Sequence, residues 1–392
     1  MSQAVRCPWD GVEPFRLDRA AVDEAFAVRA VLDAAESILH LLQNHRVELG
    51  LAEFGTDRDV GLAGVAGVER LVRQFFATVF HVAVDACLEL LFEFKKAFLI
   101  ALSVHDGDQY APGSDNIRVT MKKILLQTTI PYTADDWNIT RFSMLRAHLR
   151  DGGFDVTSRD KEDLSRIDQS DFDQMWLIAV DTGSGLSAKE CEAIARFNKG
   201  GRGLLVARDH QDLGSSVCTI DGIGTAHHFH SRNLDHDTAH RTRDDQQARD
   251  IDWPNFHSGQ NGEYQRIRVA GDRHPLLARE DGSTIEWFPA HPHEGDVSAP
   301  PSDHSARVIA TGTSKTTGHA FNLIVALEGN GKRGPGVAES SFHHFCDYNW
   351  DPRAGAPSFV TDPAGDEVVR DPKRLGDIKR YVRNAARWLA AK

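Results

Sequence analysis

The stretch MWLIAVDTGSG (residues 175–185), the helical run after Ser187, and GGRGLLVARDHQ (residues 200–211) decide how this chain folds. MWLIAV is apolar at every position, as a central strand buried on both faces of a parallel sheet requires. Ser187 and Glu190 have the spacing of a capping box, and Cys191, Ile194 and Phe197 then recur on one helical face before Gly200-Gly201 ends the run. Leu204 to Ala207 reads as the next strand. Strand, helix and strand joined by short connections predict a parallel sheet with helices on both faces.

The same alternation extends outward. Lys123 to Thr128 is a short apolar strand. Arg141 to Arg150 places Phe142, Leu145 and Leu149 on one helical face, and Phe154 to Thr157 is a second strand. From Gln265 the pattern changes: Arg307–Thr311 and Ala320–Leu327 read as a hairpin and Gly336–Ser340 as another strand. A final helix is expected with Asp371 as cap, Pro372 in its first turn, and Leu375, Ile378, Val382, Ala385 and Leu389 as its buried stripe. Between the two regions lies Ser231–Gly262, polar and long, a length that usually marks a functional lid or a mobile loop.

The chain has 392 residues, enough for two domains. Residues 1–103 read as a helical N-terminal segment, 104–120 as a polar linker and 121–392 as the α/β domain. Met121 opens MKKILLQTT like the start of a protein, so the native chain is expected either to begin there or to carry a genuine helical extension. The net charge of −12 disfavours nucleic acid and acidic membrane surfaces as partners. The most apolar run, Phe75–Phe92, is broken by His81, Asp85 and Glu89, so it reads as a buried helix rather than a span. Five scattered cysteines without CxxC, and an opening without an apolar signal region, fit a reducing cytoplasm. The expected partner is a small-molecule substrate, and homo-oligomerisation is left open.

Fifteen of the 19 histidines follow Met121, and eight of them form four groups: His210; His227, His228 and His230; His291 and His293; His343 and His344. In an open parallel sheet, ligands bind beyond the carboxyl ends of the strands. The predicted strand exits carry Asp135, Asp136 and Trp137; Asp181; Arg208, Asp209, His210 and Gln211; and Ser341, His343 and His344. All four exits carry polar, chemically capable residues on the same predicted rim.

The layout from about Met121 to Lys392 resembles the class I glutamine amidotransferase-like superfamily, in particular its ThuA-like (trehalose utilisation) branch. The matching stretches are GGRGLLVARDH and the late hairpin leading into GPGVAESSFHHF. The resemblance implies a flavodoxin-like, doubly wound, mostly parallel sheet with a late β-hairpin and a C-terminal helix, and a small polar, sugar-like substrate. True amidotransferases carry a cysteine on the turn after the central strand. Here that turn reads Ala207-Arg208-Asp209-His210-Gln211, so glutaminase chemistry is not expected, for want of its thiolate.

Any chemistry then falls to imidazole and carboxylate. Asp209, His210, His343 and His344 are the candidate catalytic residues, one of the last two facing the rim while the other packs nearby. Asp136, Trp137, Arg208, Gln211, His228 and His230 are candidate substrate contacts, although His228 and His230 also read as solvated. His291 and His293, at i and i+2 with Glu294 adjacent, are a candidate zinc or iron set; the alternative is a turn whose histidines bond backbone carbonyls. His236 and His240 read as solvated. Two functions remain: an enzyme such as a hydrolase or isomerase working by general acid–base or metal-assisted chemistry, and a non-catalytic module with a degenerate amidotransferase-like pocket.

Overall fold

The computed structural model describes residues 121–245, 248 and 250–390. The expectations for segments 1–103 and 104–120, including the Phe75–Phe92 helix and the internal start, lie outside or at the edge of the described residues. The described residues form twelve strands: β1 (Lys123–Thr128), β2 (Asp155–Arg159), β3 (Gln174–Ile178), β4 (Gly203–Ala207), β5 (His227–His228), β6 (Tyr264–Arg266), β7 (Arg268–Val269), β8 (Trp287–Pro289), β9 (Asp296–Val297), β10 (Ala306–Thr313), β11 (Ala320–Leu327) and β12 (Gly336–Glu339). Eight of them form one sheet in the order β2-β1-β3-β4-β12-β11-β10-β7. The run from β2 to β12 is parallel, and β11, β10 and β7 continue it antiparallel. This is the doubly wound, mostly parallel α/β sheet with its late hairpin. The winding reverses between β1 and β3, where such sheets open a crevice at their carboxyl ends.

Both faces of the sheet are covered, so its central strands are apolar without alternation in the sequence but alternate in space. Ile124, Leu126, Trp176, Ile178 and Leu205 enter one core, while Leu125, Met175, Leu177, Leu204 and Val206 enter the other. The first core is closed by helices α1 (Ser143–Asp151) and α3 (Leu375–Ala390), through Leu145, Leu149, Ile378, Tyr381 and Leu389. The second is closed by α2 (Ala188–Lys199), whose Cys191, Ile194 and Phe197 face inward. The capping box between Ser187 and Glu190 forms in full.

The start of α1 has a cap from far along the chain. The Asp347 carboxylate accepts from the Ser143 amide (3.0 Å), the Ser143 hydroxyl (2.6 Å) and the Met144 amide (2.8 Å), tying the helix to the segment after β12. These donors lie in the first turn, where nothing else in the helix can satisfy them. Asp347→Ala is expected to cost about 1–2 kcal/mol. Denaturant titration measures it, and an unchanged midpoint would show the tie to be idle.

Three expectations are corrected. The last helix begins at Leu375 rather than at Pro372, because Asp371 ends a preceding short helical turn (Glu367–Arg370) and residues 372–374 form a further turn; the buried stripe is as expected. Ser231–Gly262 is not a loose polar loop: Asp244, Asn255, Phe256, Ser258 and Asn261 are buried, and an isolated bridge joins Arg243 to Asn255. His240 is not merely solvated. Its Nδ1–H donates to Asp235 at 2.7 Å, and that bond raises the imidazole to about 9; His236 is exposed.

Candidate functional site

The exits of β1, β3, β4 and β12 border one cleft of about 480 Å³. Asp136 and Trp137 come from the segment after β1, Asp181, Thr182 and Ser184 from that after β3, Asp209 and His210 from that after β4, and His343 from that after β12. His291 and His293 reach it from the segment between β8 and β9, and Phe359 to Asp362 complete a wall. Asp135 fastens that wall: its carboxylate accepts from the Ser358 amide at 2.7 Å.

At the floor stands Asp209, on the turn that follows β4. The side chain is fully buried. Its Oδ2 lies 2.9 Å from His210 Nδ1, 3.2 Å from His291 Nε2 and 3.7 Å from His343 Nε2, while Oδ1 accepts from the Ser341 hydroxyl at 3.1 Å. Burial alone would raise this carboxyl, but the surrounding imidazoles hold it well below the usual carboxylate range. Burial pushes His291 down to about 4 and His343 well below its ordinary value, so both rings are neutral near pH 7. They stack at 3.5 Å between centroids and 15° between planes, an arrangement that two imidazolium rings would resist. His293 sits between Asp245 and Asp362, at 3.3 Å from each, and burial lowers it too.

The turn that presents Asp209 and His210 is unusual. Gln211 has φ of +48°, in the left-handed region that residues with a side chain seldom adopt. It is held there by its own amide donating to Pro254 O (2.9 Å) and by Arg208 Nη2 donating to its carbonyl (2.8 Å). Backbone held in such a region tends to mark functional sites.

Several candidates fall elsewhere. Arg208 is buried beneath the turn, its guanidinium 4.2 Å over the Phe229 ring, and it does not line the cleft. Gln211 does not line the cleft either; its Oε1 accepts from the Asp252 amide at 3.1 Å. His228 is buried between the Asn233 carbonyl and the Ser298 hydroxyl, and His230 lies against Trp253; neither lines the cleft, and His228 is not solvated. His344 is fully buried in the core rather than at the rim, with Nδ1 3.1 Å from Glu339 and Nε2 3.6 Å from Glu294. Those two carboxylates raise it, against burial, to about 10. Glu294 therefore does not join His291 and His293. The HPHE stretch is a turn, not a strand, and Glu294 pairs with Phe256 through its backbone while its side chain accepts from Ser340 (3.0 Å) in the interior.

The residues missed by sequence reading are Asn261, Asn349 and Asp362. Asn349 Nδ2 donates to Asn261 Oδ1 (2.8 Å) and to the Ala290 carbonyl (3.1 Å), and the two asparagine oxygens accept from His343 Nδ1 (2.8 Å) and His291 Nδ1 (3.2 Å). No local pattern announces such partners, which come from distant loops. Gly295 was also silent. A Cβ there would overlap the Arg208 guanidinium and crowd the Asp209 carbonyl oxygen. Gly295→Ala is expected to cost about 1–3 kcal/mol through overpacking, seen as a lower unfolding midpoint; wild-type stability would mean that Arg208 moves freely.

No helix among the described residues is long and apolar enough to cross a membrane. No protein-family model and no curated relative matches this chain. Among the solved structures similar to it are two described as ThuA-like proteins. One, from Bacteroides uniformis, is 12% identical with a TM-score of 0.33 and covers 71% of this chain and 95% of its own. The other, from Parabacteroides merdae, is 12% identical with a TM-score of 0.40 and covers 69% and 91%.

Proposed function

We propose that the cleft carries out acid–base or metal-assisted hydrolysis or isomerisation of a small, uncharged, hydroxyl-rich molecule. The observation that carries this reading is the convergence of His210, His291 and His343 on the buried carboxylate of Asp209. Proton transfer needs groups within hydrogen-bond reach of a common reacting atom, and this floor supplies several. His343 is the base: Asn349 holds the proton on Nδ1, which leaves the Nε2 lone pair toward the floor. Asp209 and His210 form the partner pair.

The walls support the choice of substrate class. Asp136, Asp181, Asp209 and Asp362 line the cleft, and no lysine or arginine is among the described lining residues. Phosphate esters and carboxylates would meet net negative potential there. Trp137 and Phe359, with ring centroids 6.4 Å apart, offer an apolar wall against which a polyol could lie.

The test is a panel of neutral sugars, sugar derivatives and their phosphate esters offered to the full chain, with binding and product formation both followed. Turnover of a neutral member that Asp209→Asn abolishes supports the proposal. Preference for the phosphorylated members would overturn the substrate class. Binding without turnover, unchanged in Asp209→Asn, would instead establish the non-catalytic module.

A further inference from the structure

The protons on two of the floor imidazoles are assigned by their neighbours. The Ala290 carbonyl can only accept, so the nitrogen of Asn349 must face it, and that nitrogen also donates to Asn261 Oδ1. Asn261 Oδ1 then leaves His291 Nδ1 no role but donor, and Asn349 Oδ1 does the same to His343 Nδ1. A neutral His291 consequently carries its lone pair on Nε2, 3.2 Å from Asp209 Oδ2. In this tautomer the Nε2 of His291 and the carboxylate oxygen need a proton or a metal cation between or beside them, and the geometry around them suits a cation. His210 Nδ1 adds a third ligand-type atom 2.9 Å from the same oxygen, and the three lie within 4.8 Å of one another.

Two of the spacings match the edges of a coordination polyhedron. Two bonds of about 2.0–2.1 Å meeting at octahedral to tetrahedral angles place neighbouring ligand atoms about 2.8–3.4 Å apart. The two edges at Asp209 Oδ2 fall in that range. Two imidazoles and one carboxylate facing a cleft are the donor set of open catalytic zinc and ferrous sites, which leave positions for water or substrate.

We propose that Asp209 Oδ2, His291 Nε2 and His210 Nδ1 form a site for one divalent transition-metal ion, zinc or ferrous iron, open to the cleft. It replaces the set of His291, His293 and Glu294 expected from sequence, and it deepens the function proposed above without requiring that function's substrate. Asn261 is a positioning residue that fixes the ligating tautomer of His291, and His343 stacks on His291 without ligating. To ligate through Nδ1, a neutral His210 moves its proton to Nε2, with no net release.

The experiment uses the full chain, freed of metal with chelator and titrated with Zn²⁺ and Co²⁺. Bound metal is counted by mass spectrometry, the Co²⁺ site is read by visible absorption, and folding is checked by circular dichroism. One equivalent is expected. Asn261→Ala should weaken binding roughly 10–100-fold, His291→Ala should weaken it further, and His293→Ala should leave it near wild type. The proposal is overturned if the folded wild type takes up no equivalent, or if His293→Ala loses the metal while Asn261→Ala and His291→Ala keep it. Turnover by the metal-free protein would also remove the metal from the mechanism yet leave the proposed function standing. Stoichiometric metal without turnover of any neutral sugar would sink the function and leave the site.

Discussion

Replacing His343 by alanine is expected to lower turnover by about 10²–10⁴-fold, the usual contribution of a positioned general base. The expectation rests on a contrast of neighbours. His343 lines the cleft with its Nε2 3.7 Å from Asp209, whereas His344, the next residue, is enclosed in the core. The loss should fall on kcat more than on KM if the ring acts in the reaction rather than in binding. Asn349→Ala provides a second reading. It removes the acceptor from Nδ1 but leaves the ring, so a partial loss is expected from a ring free to change tautomer. Because Asn349 is fully buried, circular dichroism must accompany both variants. Steady-state kinetics with unchanged kcat in His343→Ala would eliminate this residue as the base.

His344→Ala is expected to be silent toward chemistry and costly for folding. The ring is fully buried, donates to Glu339 at 3.1 Å and lies 3.6 Å from Glu294, while Tyr381 donates its hydroxyl proton to Glu339. Removing the imidazolium leaves two carboxylates facing each other in a dry core. Breaking a buried pair in this way costs about 3–5 kcal/mol. The wild type should show the linkage in its pH dependence. The folded pKa of His344, about 10, lies above its ordinary value of 6.5, so its contribution is complete below about pH 6.5 and fades as pH rises through 10. In His344→Ala that slope should be gone. Equilibrium denaturation between pH 6 and 10 measures both, and equal slopes in the two proteins would refute the assignment.

Much of the frame is legible from residues close together in sequence. The uniform apolar character of MWLIAV and LLVA reflects burial on both sheet faces, and the Ser187–Glu190 pair and Gly200-Gly201 bound α2 by local hydrogen bonding and backbone freedom. Even the split between His343 and His344 is partly foreseeable, since adjacent residues leaving a strand diverge. The ligating and positioning roles are not. Glu294 follows His293 directly and looked like its companion, yet a turn sends it into the core. Arg208 follows an apolar strand as a cleft residue might, yet it folds back over Phe229.

What the sequence determines by itself is therefore the α/β architecture, the absence of a cysteine at the central turn, and the presence of Asp209 and His210 there. Strand and helix periodicity are properties of neighbours three or four residues apart at most, so a chain read in order reveals them. Only the tertiary structure decides which histidines share the carboxylate, because His210, His291 and His343 belong to segments joined by the sheet order and not by proximity in the chain. The asparagines that fix their protons follow the same rule: a hydrogen bond between distant loops has no period for the sequence to show.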